Sequence, residues 1–399
     1  MSRTAERAGR YVRQPSGYRA FIPSPLPPDP PVQFDPLLQT LLSRADQALG
    51  RLDGAAQLLP NPDLFVAMYV QWESVLSSQI EGTQSTLEDL LEFQLDPTGA
   101  GSSRDVEEVV NHVAAMNYGL QRLRELPLSL RLIREIHREL MRGVRGSERT
   151  PGEFRTSQNW IGAAGASLSQ ATFVPPPPGE MWEAMSNLES FLHADAPLPP
   201  LVRCGLAHAQ FETIHPFLDG NGRVGRLLIT FLLVHEGVLH RPLLYLSHYF
   251  KQYRAEYYDR LNAVRDGDWE DWLRFFLRGV AEVAEQATST ARAIITLREA
   301  HRRVIQESGG LATTGLRLLD VMFEHPIANA RLAQEKLGAK SFDTAANALE
   351  RLVALDLLEE TTGGRRNRRY RYGPYLALFA EGSEATGDDT PAQTTEAET

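Results

Sequence analysis

The sequence is poor in cysteine, which limits the chemistry open to the chain. Cys204 is the only cysteine among 399 residues, so no intrachain disulfide and no thiolate metal cluster can form. Proteins of the reducing cytoplasm commonly lack disulfides, and this absence favours a cytoplasmic protein. The opening stretch, MSRTAERAGRYVRQ, has no apolar segment, so a secretory signal peptide is not expected.

Lysine is almost as rare, since the chain contains only Lys251, Lys336 and Lys340. No Gly-Lys-Ser/Thr phosphate loop is present, so any phosphate chemistry must depend on arginine. The net charge of -10 argues against a chain that coats nucleic acid, although a local basic patch stays open. The longest apolar stretch, residues 227–234, is too short to cross a bilayer and predicts a buried helix, so no membrane partner is expected.

Composition and periodicity predict a mainly α fold divided into five segments. Residues 1–34 are rich in proline and predict an extended arm. Residues 35–104 predict an N-terminal helical region, and a second block of helices covers 105–290. Residues 291–380 predict a linker helix followed by three helices and two strands, an order that resembles a winged helix-turn-helix. The small, polar and acidic residues 381–399 predict a disordered tail.

The run HPFLDGNGRVGR, residues 215–226, combines residue types that suit a bound triphosphate. Gly220 and Gly222 allow the backbone to approach a ligand closely. The loop leads into the N-terminus of a predicted helix, where unpaired N–H groups favour an anion. Arg223 and Arg226 lie on the first turn of that helix and can both face the same anion.

His215 and Asp219 supply the candidate reactive and metal-binding groups of this run. His215 precedes the loop and, with an ordinary pKa of about 6.5, is the candidate general base. Asp219 is a hard oxygen ligand, suited to one Mg2+ that also binds phosphate. Together these residues predict attack by a hydroxyl group on a phosphorus atom of a bound nucleotide.

Two other interpretations of this run stay open. DGNG is a common turn sequence, and His215 could simply cap the preceding helix. The presence of two arginines and a histidine in one loop argues against that interpretation. His208, Glu212 and His215 lie at helical spacing and suggest a zinc or iron site. No further ligand is apparent, which favours a packed core histidine at position 208.

The run resembles the signature of the Fic family, HPFx[DE]GNGRxxR, and matches it at every fixed position. The resemblance implies an all-helical catalytic core, here residues 105–290, with a small β-hairpin flap before the motif. It also implies a protein adenylyltransferase that uses ATP and Mg2+. Such an enzyme transfers AMP to a Ser, Thr or Tyr hydroxyl of a target protein, itself included, and releases pyrophosphate.

The family signature also implies a role for each residue of the loop. His215 would deprotonate the target hydroxyl, and Asp219 would hold Mg2+ between the α- and β-phosphates. Arg223 would contact the phosphates, and Arg226 the γ-phosphate. An anion hole would be formed by Gly220, Asn221 and Gly222.

A second resemblance lies upstream, in SSQIEG at residues 77–82. Ser77, Glu81 and Gly82 fit the family's inhibitory pattern, [ST]xxxE[GN], and the first two lie on one helix face. The resemblance implies that Glu81 pairs with Arg226 and occupies the place of the γ-phosphate, which makes the enzyme autoinhibited. In some relatives the same glutamate supports removal of AMP, so de-AMPylation is an alternative role.

Two further assignments follow from the resemblance. Residues 166–178 match the position of the family's flap, which would bind the target backbone by strand addition; an ordinary surface loop is the alternative. Tyr257 and Tyr258 match the aromatic pair expected near the nucleotide base. Two aromatic residues on an amphipathic helix are also typical of a core.

The C-terminal module suggests a competing function. Residues 365–371, RRNRRYR, place five arginines on a predicted wing that could contact DNA phosphates. The predicted recognition helix has few base-reading side chains, which favours protein docking or dimerisation instead. A winged-helix DNA-binding regulator is therefore an alternative, as is the transfer of another nucleotide or phosphoryl group. A homodimer also stays open.

Overall fold

The computed structural model describes residues 6–57, 62–97, 103–163, 165–195, 197–309, 312–364 and 366–380. The predicted acidic tail, residues 381–399, and the first arginine of the predicted wing, Arg365, lie outside the described residues. The described chain is mainly helical, as predicted. No helix within the described ranges is long and apolar enough to span a bilayer.

The N-terminal arm differs from the extended segment that its prolines predict. Strands β1 (Gly9–Arg13) and β2 (Arg19–Pro23) pair in antiparallel fashion, with Gly9 opposite Pro23. Phe21 is 1% exposed, and its backbone N–H donates to the carbonyl of Val174 at 2.9 Å. The hairpin forms because its apolar residues find a buried partner in the segment that precedes the loop of residues 215–226.

Three helices follow the arm: α1 (Pro36–Gln57), α2 (Pro62–Ile80) and α3 (Leu87–Leu95). Helix α2 ends where Gly82 adopts a φ of +101°, a left-handed conformation that glycine tolerates well. Thr86 caps α3 in a reciprocal capping box with Asp89. The end of α2 and the start of α3 are therefore both fixed by local sequence.

The central block has eight helices in the described residues. They are α4 (Arg104–Arg122), α5 (Leu130–Leu140), α6 (Pro178–His193), α7 (Pro200–Ile214), α8 (Asn221–His235), α9 (Ser247–Gln252), α10 (Arg254–Arg265) and α11 (Trp269–Glu307). Helices α7 and α8 form the centre, because almost every residue of both is buried. The apolar run 227–234 lies within α8, as predicted. The candidate loop connects these two central helices.

Two expected features of the central block are not seen. The expected boundary at residue 290 falls inside α11, whose buried Ala287 and Ala291 continue one packing stripe against α1. The flap at 166–178 is not a regular hairpin: a single bridge joins Ile161 to Phe173, and a short 3-10 turn covers Leu168–Gln170. The N–H of Phe21, on strand β2, donates to the carbonyl of Val174. The flap is therefore also bonded to the N-terminal hairpin.

The C-terminal module contains α12 (Ala312–Glu324), β3 (Ile327–Asn329), α13 (Ala330–Leu337), α14 (Phe342–Ala354), β4 (Glu359–Glu360), β5 (Arg369–Arg371) and α15 (Gly373–Ala380). The sheet is antiparallel with the order β3-β5-β4. Three helices and a terminal strand pair follow the predicted order, and the first strand is an addition. The assignment of this module as a winged helix stays a prediction.

Candidate active site

His215 caps helix α7 in a left-handed conformation, with φ +50° and ψ +62°. This is an uncommon backbone geometry for a residue other than glycine. It is held by the buried Arg155, whose Nε donates to the His215 carbonyl at 3.0 Å, and by Asn159 Nδ2 at 3.2 Å. The imidazole is 5% exposed, and burial lowers the pKa of His215 to about 4. A neutral imidazole at pH 7 is ready to accept a proton.

The glycine loop is closed by Asn221. Its Oδ1 accepts from the N–H of Phe217 at 2.8 Å, and its Nδ2 donates to the Phe217 carbonyl at 2.9 Å. Both polar atoms of this buried amide therefore bond to the loop itself, and the role of Asn221 in the anion hole that the family signature implies stays a prediction. Gly220, with φ +76°, precedes the first turn of α8. The anion-binding groups of the loop are thus backbone N–H groups at a helix N-terminus.

Arg223 lies between two carboxylates. Its Nη1 is 3.3 Å from Glu108 Oε2, and its Nη2 is 3.4 Å from Asp219 Oδ1. Arg223 is 3% exposed, so it is held in one place by these pairs. Glu108, on α4, was missed by the sequence analysis because it lies far from the loop in the chain. Burial raises the pKa of Glu108.

Asp219 is the one carboxylate within residues 215–226, and 19% of its side chain is exposed to solvent. Its Oδ1 accepts from the N–H of Gly220 at 2.6 Å. The Asp219 carbonyl lies 3.0 Å from His137 Nε2, and that imidazole stacks on Phe217 at 3.7 Å. Through these two contacts His137 fixes the backbone of the loop at Phe217 and Asp219.

The expected Mg2+ fits this donor set. No group of three or more His, Cys, Asp or Glu side chains that could hold a metal is found within the described residues. A fully protein-bound metal, such as the zinc site suggested by His208, Glu212 and His215, is therefore not formed by the described chain. Mg2+ commonly uses one or two carboxylates together with substrate phosphates and water. Asp219 alone satisfies that requirement.

Arg226 binds the two residues that the inhibitory pattern singles out. Its Nε donates to Ser77 Oγ at 2.9 Å and its Nη2 to the Ser77 carbonyl at 3.0 Å. The same Nη2 lies 2.6 Å from Glu81 Oε1. The arginine side chain is 2% exposed and that of Glu81 is 29% exposed. Helix α2 is thus joined to the second turn of α8 through one arginine.

Glu81 also lies against the anion loop. A Cβ at Gly222 would come within 2.3 Å of Glu81 Oε1. Burial acts to raise the pKa of Glu81, but the guanidinium of Arg226 outweighs it, and the pKa lies below its ordinary value. A charged carboxylate therefore lies where the backbone of the loop favours an anion.

The two tyrosines of the aromatic pair, Tyr257 and Tyr258, differ in burial. Tyr257 is 1% exposed, and its hydroxyl lies 2.9 Å from His208 Nε2. His208 Nδ1 lies 2.9 Å from the Gly225 carbonyl, which makes His208 the packed core histidine expected from sequence. Tyr258 is only partly buried, and Arg254 lies over its ring at 5.8 Å. The base-binding role stays a prediction, and for Tyr257 the geometry favours the core alternative.

Two buried carboxyl groups lie near the site; Glu73 was not predicted, and Glu212 was named only as part of the metal-site alternative. Glu73 lies on α2, one and two helical turns before Ser77 and Glu81, and its carboxyl group accepts from the hydroxyl of Ser247. The four-residue spacing of these three residues is the sequence signal that could have identified it. Glu212 lies on the last turn of α7. Burial raises the pKa of both carboxyl groups to about 7.

Three arginines of the predicted wing, Arg368, Arg369 and Arg371, are paired with carboxylates of the same chain. Arg368 pairs with Glu350 at 2.6 Å within the C-terminal module. Arg369 Nη1 lies 3.2 Å from Glu92 Oε2, and Arg371 pairs with Glu88. Glu88 and Glu92 belong to helix α3, in the N-terminal helical region. DNA binding by this wing stays a prediction, and it would require these pairs to separate.

Comparison with known proteins identifies relatives. A model of the Fic/DOC family matches residues 127–233, and a model of the Fic/DOC family N-terminal region matches residues 39–121. A Drosophila willistoni protein named Protein adenylyltransferase Fic is 32% identical over 213 residues, which is 52% of this chain and 38% of the relative. The protein of the same name from Drosophila yakuba is 30% identical over 257 residues, or 62% of this chain and 46% of the relative.

The chain therefore spans less than half the length of these curated relatives. A crystal structure of a Fic family protein from Desulfovibrio desulfuricans G20 superposes with a TM-score of 0.56 at 22% identity. It covers 90% of this chain and 99% of the other. This likeness supports the fold over nearly the whole chain.

Proposed function

We propose that the chain is a protein adenylyltransferase, and the matches of the Fic/DOC family N-terminal model to residues 39–121 and of the Fic/DOC family model to residues 127–233 support this proposal. It transfers AMP from ATP to a Ser, Thr or Tyr hydroxyl of a protein, and Glu81 restrains this activity. The observation that carries the proposal is the position of the Glu81 carboxylate. It lies at the backbone of Gly222 and on Arg226, where the terminal phosphate of ATP would otherwise bind.

In the proposed reaction His215 accepts the proton of the target hydroxyl. The hydroxyl oxygen forms a bond to the α-phosphorus, the bond from that phosphorus to the bridging oxygen breaks, and pyrophosphate leaves with the electron pair. The backbone N–H groups at the start of α8 stabilise charge on the phosphates. Arg223, fixed by Glu108 and Asp219, lies on the same turn and adds a positive charge.

Asp219 would hold Mg2+ against the phosphates, and the metal would supply charge neutralisation there. The chain's own residues orient this carboxylate. The N–H of Gly220 donates to the Asp219 carboxylate, and His137 Nε2 lies at hydrogen-bond distance from the Asp219 carbonyl. Removal of the metal by a chelator is expected to stop transfer.

Two other activities of this site are outcomes of the test. A donor nucleotide bound in the reverse orientation would lead to transfer of a phosphoryl group, and a different donor would lead to transfer of another nucleotide. Glu81 could instead position water for the removal of AMP from a modified protein. The ionised state of Glu81 supports its role as a competing anion in the unmodified enzyme.

ATP labelled on either the α- or the γ-phosphate distinguishes AMP transfer from the transfer of another nucleotide or a phosphoryl group. With Glu81→Gly protein, Mg2+ and a cell lysate, we expect protein-bound label from α-labelled ATP and none from γ-labelled ATP. UTP labelled on the α-phosphate should leave at least tenfold less label. Label from the γ-phosphate would show phosphoryl transfer, and label from UTP alone would show uridylyl transfer; either result contradicts the proposal.

A further inference from the structure

A buried carboxyl group lies beside the proposed base. Glu212 is three residues before His215, and the two residues are 7% and 5% exposed. A Cβ at Gly225 would come within 2.2 Å of Glu212 Oε1, so this oxygen lies directly against the backbone of α8. Within the described part of the chain, Oε1 has no hydrogen-bond partner. A buried carboxyl oxygen without such a bond needs another explanation.

The charges around His215 supply that explanation. The imidazole interacts with two carboxylates, Glu212 and Glu81, and with two guanidinium groups, Arg155 and Arg265. Glu212 also faces Arg226. Among the charged neighbours, Glu212 acts most strongly on His215, and His215 most strongly on Glu212.

The balance of these charges changes when the enzyme becomes active. A buried imidazolium is costly, and the guanidinium groups beside it raise that cost. Two carboxylates oppose this effect in the inhibited state. Once the nucleotide displaces Glu81 from Arg226, Glu212 is the carboxylate that remains near His215.

We propose that Glu212 is the positioning residue that stabilises His215 while this side chain takes up the proton of the target hydroxyl. The inference rests on the proposed function, because it assumes His215 as the base. The proton passes from the hydroxyl to the imidazole, and the carboxylate stabilises the resulting positive charge without itself binding the substrate. A third group that orients and supports a base in this way recurs in unrelated enzymes.

The test uses the pH dependence of AMP transfer in the Glu81→Gly background. Glu212→Gln keeps the shape and removes the charge. We expect a fall in kcat of at least tenfold above pH 7 and the loss of an acidic limb near pH 7, because that limb reports protonation of the Glu212 carboxyl group, whose pKa burial raises to about 7. The KM for ATP should change less than twofold. Glu212→Asp, which keeps the charge, should restore part of the rate and the original limb.

The result separates the inference from the proposed function. If the Glu81→Gly parent transfers no AMP, the proposed function fails. If the parent is active and Glu212→Gln leaves the acidic limb unmoved, Glu212 has only a structural role and the inference is overturned. A histidine NMR signal that is absent from His215→Asn protein reports His215, and its chemical shift should change near pH 7 as Glu212 ionises beside it; this change should be absent from folded Glu212→Gln.

A separate observation concerns the C-terminal module. Arg369 lies 3.2 Å from Glu92 and 3.4 Å from Asp96, while Arg371 pairs with Glu88. These carboxylates lie on or just after α3, five or more residues beyond Gly82. Phe379 of α15 packs against Tyr69 and Trp72 of α2, with ring centroids 5.5 and 6.1 Å apart. The module therefore contacts the helices on both sides of Glu81.

We infer that these contacts hold Glu81 in its inhibitory position. Single exposed ion pairs contribute little to stability. Here several pairs and an aromatic contact join the same two surfaces. If the C-terminal module separated, it would no longer hold α3 in place. The segment around Gly82 would then lose this support, and Glu81 would leave Arg226 more easily.

Charge reversal tests this inference. We expect Arg369→Glu with Arg371→Glu to raise AMP transfer several-fold, and reversal of Glu88, Glu92 and Asp96 to arginine in the same protein to lower it again. Arg368→Glu is the matched control, since Arg368 pairs within the module. In the Glu81→Gly background the same reversal should have no further effect. An unchanged rate in the reversed protein, or an equal rise in Arg368→Glu, would overturn the inference.

Discussion

Replacement of Glu81 by glycine is expected to raise the rate of AMP transfer by about 10- to 100-fold, the usual range for coupling between a regulatory and a binding group. The side chain lies 2.6 Å from Arg226 and against Gly222, so its removal opens the place of the terminal phosphate. The rate should be measured with α-labelled ATP at saturating and at limiting ATP. Because Glu81 occupies the place of the terminal phosphate, the gain should be largest at limiting ATP; a gain that persists at saturation would show that ATP also binds beside Glu81 in an unproductive pose.

Two matched variants define the cause of this gain. Glu81→Gln keeps the length of the side chain and removes its charge, so it should relieve inhibition only in part. Ser77→Ala removes one hydrogen bond to Arg226 but keeps the carboxylate, and it should have the smaller effect. A rate in Glu81→Gly equal to that of the wild type would show that Arg226 is not blocked by this residue.

The same substitution should reduce stability in the absence of ATP. Arg226 is 2% exposed at its side chain and would lose its carboxylate partner, which costs about 1–3 kcal/mol for a buried polar group. Its bonds to Ser77 remain. Because the pKa of Glu81 lies below its ordinary value, the carboxylate stays charged at pH 6–8, and inhibition should be constant over that interval.

The sequence predicted the local features of the site well because they are carried by contiguous residues. The loop that leads into a helix and the buried apolar helix after it both follow from short-range chemistry. The contact between Glu81 and Arg226 joins residues 145 positions apart. It was predicted only through the resemblance, since spacing within one helix says nothing about its partner in another.

The missed features depend on long-range packing. The hairpin of residues 9–23 became visible only through its contact with Val174, and Glu108 reaches Arg223 across the core. Asn221 could be placed in the loop but not oriented, because the choice between an anion and the Phe217 backbone depends on the loop's three-dimensional shape. The pairing of Arg369 and Arg371 with carboxylates on α3 could likewise not be predicted from the sequence, because it joins residues 277 and 283 positions apart.

Loss of the imidazole at position 215 is expected to have the largest effect on chemistry. A general base typically contributes about 10^2- to 10^4-fold, so His215 variants in the Glu81→Gly background should retain less than one hundredth of the rate. The choice of substitution matters because residue 215 has φ +50°. Asparagine tolerates this conformation better than alanine does. His215→Asn therefore tests the side chain with the least disturbance of the backbone.

The control for that variant is the binding of ATP. Arg155 and Asn159 bind the carbonyl of residue 215 and not its imidazole, so the loop should keep its shape in His215→Asn. We expect the Kd for ATP, measured by calorimetry in the Glu81→Gly background, to change less than threefold while transfer is lost. Full transfer by a variant that binds ATP normally would assign the proton to another group. Joint loss of binding and transfer would instead mean that the imidazole supports the anion loop.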